Sequence, residues 1–261
     1  MSRTFAAAVA ALAVSIPSIA SAQINFGKTG YYVAMGDSVA AGEGAMPVTN
    51  GYAYQLYEQG TFGPKQQMDF ANLAVRGGRS WEFRDHQVSQ VLCAQPAQRP
   101  TVVTITVGAN DFLRRDFNIA GIASRVVEGI NILLNNGTNL VSSPVIDPRS
   151  NTPCPRLTNV TILVSNYLSI PHPDPSVNQQ LDLALRGFTD ALNFFLSHLT
   201  VPAGSRVAVV DVFTPSLDQT GLLLIEKNNG YTNPADFEVH PTNTGHSLIA
   251  RQFAAVWQGL Q

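Results

Sequence analysis

Ser38 closes the bend Gly36-Asp37-Ser38, which follows the aromatic and apolar run Tyr31-Tyr32-Val33-Ala34-Met35 and precedes Val39-Ala40-Ala41-Gly42. A strand ending in such a bend carries its hydroxyl at the carboxyl edge of a sheet, where open α/β folds bind ligands. Serine is a poor nucleophile at neutral pH unless a base takes its proton and donors stabilise the oxyanion that its attack creates. The chain offers a candidate for each task. Gly77, in Arg76-Gly77-Gly78-Arg79, can present a backbone N–H with no side chain in the way. Asn110, in Gly108-Ala109-Asn110-Asp111, can aim a side-chain amide. His240, in His240-Pro241-Thr242, can return to the same crevice as a base.

Such residues need a scaffold, and the pattern predicts one. Strands are expected over 31–35, 70–75, 101–107, 159–168 and 206–213, and the third of these is a nearly continuous β-branched run of the kind buried on both faces. Helices are expected over 51–59, 81–92, 119–135 and 181–199, with a last one carrying Ile249, Phe253, Val256, Trp257 and Leu260 on one stripe. The span 138–158, rich in Pro, Ser and Asn, reads as an irregular loop, and the stretch from 214 to His240 reads as loop-rich. Strands that alternate with helices predict a parallel sheet with helices on both faces. No linker or repeat divides the chain, so residues 23–261 are expected to form one domain.

Four blocks in this order resemble the SGNH hydrolases, also called the GDSL family. They are Gly36-Asp37-Ser38-Val39-Ala40-Ala41-Gly42, Asn72-Leu73-Ala74-Val75-Arg76-Gly77, Gly108-Ala109-Asn110-Asp111 and His240-Pro241-Thr242. The resemblance implies a flavodoxin-like three-layer sandwich around five parallel strands, and ester hydrolysis through an acyl-enzyme without metal or cofactor. It makes Ser38 the nucleophile and His240 the general base. The Ser38 N–H, the Gly77 N–H and the Asn110 side chain would form the oxyanion hole. One position departs from the family pattern: Phe237 stands three residues before His240, where an aspartate is usual. Asp236, Glu238 or the Phe237 carbonyl is left to orient the ring. That departure keeps open a competing class, a binding module of the same fold without turnover.

Other readings are weaker. His246 is a rival base, but the start of a helix more commonly gives a histidine a structural or solvated role. Asp37 and Asp111 are expected to brace turns. Gly42 and Gly44 fit no phosphate-binding spacing, and the GxSxG elbow is absent.

Composition sets further bounds. Arg3, an uncharged run to Ile16 and the small residues Ala20-Ser21-Ala22 predict a secretory leader over 1–22, hence an exported product with no membrane span. Removing Arg3 takes the formal net charge from −2 to −3, and without a basic stripe nucleic acid is not an expected partner. Cys93 and Cys154 lack metal-site spacing and are expected to pair, closing a loop of about 62 residues and adding about 4 kcal/mol in the chain-entropy account. The family resemblance, and not the composition, implies a small-molecule or lipid ester as substrate, with acetylated sugars, phospholipids and thioesters open to the same machinery.

Overall fold

The structure is a computed structural model that describes residues 28–94, 99–114, 116, 118–170, 175–217, 219–227 and 237–261. The expected leader lies outside the described residues, as do Asp236 and the side chains of Phe237 and Glu238.

Strand β1 (Gly30–Gly36) runs into the short helix α1 (Ser38–Ala41), and α2 (Tyr52–Glu58) follows. After β2 (Met68–Asn72), α3 (Ser80–Glu82) passes through a π-helical turn at Phe83–Gln87 into α4 (Val88–Leu92). Strand β3 (Val102–Thr106) leads to α5 (Ala109–Leu113) and α6 (Ile119–Asn135). Strands β4 (Ile146–Asp147) and β5 (Thr152–Pro153) form a two-residue antiparallel ladder. Next come β6 (Thr161–Ser165), α7 (Pro175–Ser197) and β7 (Arg206–Val210). An antiparallel pair, β8 (Leu223–Lys227) and β9 (Phe237–Pro241), precedes α8 (Asn243–Gly259).

The main sheet has five parallel strands in the order β2-β1-β3-β6-β7. The chain steps one way from β1 to β2 and the other way from β2 through β3 and β6 to β7. Right-handed crossovers therefore put α2 on one face and α4, α6 and α7 on the other. Helix α8 packs on α2, and α6 packs on α7 and α4. The direction reverses between β1 and β3, which opens the crevice at their carboxyl ends.

Burial follows the pattern read from the chain. All five β3 residues are buried, as are Ile122, Val126, Ile130 and Leu133 along α6. Cys93, just after α4, is disulfide-bonded to Cys154, just after β5.

Three expectations need correction. The span 138–158 is not wholly irregular, because β4 and β5 pair within it. The second strand stops at Asn72, whose side chain accepts from the Ala74 N–H at 3.1 Å and turns the chain before 75. His240 does not leave a loop: it sits on β9, opposite Leu224 of β8. The polar interruptions Glu226-Lys227 and Glu238 hide that ladder from a hydrophobic pattern.

Candidate active site

The turn from β1 into α1 is fixed from several sides. The Asp37 N–H bonds to the Thr106 carbonyl at 2.9 Å. The Gln87 amide brackets Gly36, accepting from its N–H and donating to its carbonyl, each at 2.8 Å. Asp37 caps α1: its Oδ1 accepts from the Val39 N–H at 3.0 Å, and its Oδ2 accepts from the Tyr167 hydroxyl at 2.5 Å. Burial pushes the Asp37 carboxyl up to about 7, against the pull of those two donors. Burial, followed by the neighbouring Asp37 charge, also pushes the Tyr167 hydroxyl well above its usual range. Ser38 is the first residue of α1, so its N–H belongs to the helix end whose donors have no carbonyl one turn back within the helix to bond.

His240 meets Ser38 across 202 positions of sequence: its Nε2 lies 3.0 Å from the Ser38 Oγ. The same nitrogen lies 3.2 Å from Oε2 of Glu43, and the other Glu43 oxygen is ion-paired to Arg76. Gly44 makes this approach possible. It has φ +83°, and a Cβ there would stand 2.3 Å from the Pro241 carbonyl oxygen and 2.8 Å from the His240 Cβ.

The candidate oxyanion donors flank the serine, one beyond β2 and one beyond β3. Asn110 donates through Nδ2 to the Gly78 carbonyl at 3.1 Å, which uses one of its two amide hydrogens and leaves the other. Gly77 has φ +69°, and no heavy atom lies within 4 Å of where a Cβ would stand, so its backbone is open to approach. Asp111, 2% exposed, ties the two turns together. Its carboxylate accepts from the Ser80 N–H at 2.8 Å and the Ser80 hydroxyl at 2.7 Å, and from Arg125 at 3.2 Å. Arg125 also donates to Ser80 Oγ and to Asp116, both at 2.7 Å.

His246 does not face the serine. It is buried in α8, where its Nδ1 accepts from the Tyr52 N–H at 3.2 Å and its Nε2–H donates to the Glu43 carbonyl at 2.8 Å. Burial, then the neighbouring His240, lowers its pKa to about 4, so the ring is neutral at ordinary pH. Among the described residues, no group of three or more His, Cys, Asp and Glu side chains is arranged to hold a metal ion, and no helix is long and apolar enough to cross a membrane.

The sequence model of the GDSL-like lipase/acylhydrolase family matches residues 34–248, a span that takes in Ser38, Gly77, Asn110 and His240 together. The chain belongs to this family. It is thereby an ester-hydrolysing enzyme by class. No curated protein matches it in sequence. Solved structures similar to this GDSL hydrolase include an acetyl esterase mutant with an acetate ion, 15% identical with a TM-score of 0.56, covering 88% of this chain and 97% of that one. A carbohydrate esterase of family 3 from Talaromyces cellulolyticus is 14% identical, with a TM-score of 0.55 and coverage of 88% and 97%. A lipolytic protein of the G-D-S-L family from Veillonella parvula is 16% identical, with a TM-score of 0.54 and coverage of 87% and 98%. At these identities the likeness is one of fold.

The sequence reading of this GDSL hydrolase missed Glu43, Arg76 and Tyr167. Glu43 was visible five positions after Ser38 and Arg76 directly before Gly77, and only their meeting was hidden. Tyr167 gave no signal, because its contact with Asp37 spans 130 positions.

Proposed function

We propose that the protein is a serine esterase that cleaves carboxylic esters through an acyl-enzyme on Ser38. The observation that carries this reading is the 3.0 Å contact between Ser38 Oγ and His240 Nε2 at the carboxyl end of β1. In the first step the Oγ–H proton passes to Nε2, the Oγ–C bond forms, and the carbonyl electron pair moves onto oxygen. The Ser38 N–H, the Gly77 N–H and the Asn110 amide receive that charge. The bond to the alcohol then breaks, and the alcohol leaves with the Nε2 proton. A water attacks the acyl-enzyme by the same route and regenerates Ser38. The fold is shared with an acetyl esterase and a carbohydrate esterase, so short acyl esters are the first substrates to try.

Export belongs to the same proposal. It is supported by the uncharged run and small-residue motif before Gln23 and by the Cys93–Cys154 disulfide, a bond that persists in oxidising compartments.

The test is hydrolysis of p-nitrophenyl acetate and longer acyl esters, beside Ser38→Ala, with phospholipid and acetylated xylan as further arms. Turnover by the natural chain and a loss of about 10⁴-fold or more in the variant is the expected result. Equal rates for the two chains would leave the binding-module reading standing instead.

A further inference from the structure

The second contact of His240 Nε2 plays no part in the steps above. Glu43 leaves α1 through Gly42, with its N–H bonded to the Ser38 carbonyl at 2.9 Å, and its side chain is 15% exposed. Its backbone is held from behind by His246, and one carboxylate oxygen is held by Arg76. The remaining oxygen, Oε2, faces Nε2 at 3.2 Å. A neutral ring that accepts from Ser38 gains nothing from this neighbour, because a lone pair then faces a carboxylate. Once Nε2 carries the serine's proton, the same carboxylate receives an N–H bond and an adjacent positive charge.

We propose that Glu43 is a positioning residue for His240, one that stabilises the ring only while Nε2 holds the proton, with Arg76 anchoring Glu43 and tempering its charge. The proposal rests on the reading of Ser38 and His240 as nucleophile and base. No proton passes to Glu43. The Nε2–H is shared between Oε2 and the serine or leaving-group oxygen until the alcohol takes it. The arrangement has a cost at low pH, because Glu43 also favours the protonated, inactive ring in the free enzyme.

The described charged groups about His240 are Glu43 from the turn after α1, Arg76 behind it from the turn after β2, and His246 of α8, which is neutral above about 4. Asp236 and Glu238 lie four and two positions before it in sequence, and Glu226 and Lys227 lie on the paired strand β8; the side chains of all four are outside the described residues. The sign for Glu43 is fixed: an adjacent anion favours imidazolium, so its removal moves the acidic limb of kcat/KM to lower pH. Arg76 acts in the opposite sense and more weakly, because its side chain is 79% exposed and water and salt screen it.

The experiment compares pH profiles of kcat/KM for the natural chain, Glu43→Gln and Arg76→Gln. For Glu43→Gln we expect a plateau about tenfold lower and an acidic limb moved down by about one pH unit. For Arg76→Gln the limb should rise by a few tenths of a unit. NMR titration of the His240 ring in Ser38→Ala, with and without Glu43→Gln, reads the same coupling without turnover and survives a failure of the esterase reading. An unmoved His240 titration, or Arg76→Gln shifting the limb downward, overturns the proposal. Should Glu43→Gln not fold, the Arg76→Gln arm alone decides it by the direction of its shift.

Discussion

The two flanks of Ser38 are held by different means. The donor flank is built on β2, β1 and β3, neighbours in the parallel sheet, and is locked by Asp111, Ser80 and Arg125. The base flank comes from β9, whose only strand partner among the described residues is β8, and it reaches Ser38 through the close passage at Gly44. An oxyanion hole works because its dipoles are already aimed when charge appears, so the role proposed for Gly77 and Asn110 calls for rigid mounting in the sheet. In the proposed mechanism His240 must instead take up a proton and hand it on, so what matters on that flank is which groups touch Nε2.

Four substitutions probe this contrast. His240→Ala empties the base flank and should lower kcat by about 10⁴-fold or more, as seen by steady-state hydrolysis. Asn110→Ala removes one aimed dipole and should cost about 100- to 1,000-fold in kcat with little change in KM. Gly44→Ala should push His240 off Ser38 and lower kcat by about 10- to 100-fold while the donors stay in place. An intact kcat there would show that β9 can retreat without losing the contact. Asp111→Asn should loosen the donor flank alone, lowering kcat by about tenfold, and in acyl-enzyme burst experiments it should slow acylation rather than abolish it.

The smallest effect concerns pH and stability. Asp37 titrates at about 7 in the fold, above its usual value, so between about 4 and 7 the native state binds the extra proton and stability falls as pH rises. His246 titrates at about 4, below its usual value, so between about 4 and 6.5 the native state binds fewer protons and stability falls as pH drops. The two trends oppose each other over most of that window. Asp37→Asn should therefore expose a Tm that falls from pH 6.5 to 4, and His246→Gln one that falls from pH 4 to 7. Parallel Tm curves for the two variants would rule out this compensation.

The difference between the flanks also decided what the sequence could reveal. Ser38, Gly77 and Asn110 each follow a strand or its turn, so local pattern and turn chemistry could nominate them as candidates. The α6 boundaries were legible at 119 and 135 because a long apolar stripe ends at Asn135-Asn136-Gly137. The β8–β9 ladder was not legible, since two short strands with charged interruptions give no clear period. Nor were the pairings of Asp111 with Ser80 and of His246 with Glu43, 31 and 203 positions apart, because no local rule links residues that only the folded sheet brings together.

The distance in sequence between Ser38 and His240 also has a meaning in time. A chain made from its amino end has all five sheet strands in hand once β7 ends at Val210, yet it lacks His240, the base of the proposed mechanism, for another thirty or so residues. Any nascent or truncated product that stops short of β9 can hold the serine and its donors but not the histidine. Under the proposed mechanism, competence for hydrolysis arrives only near the end of synthesis.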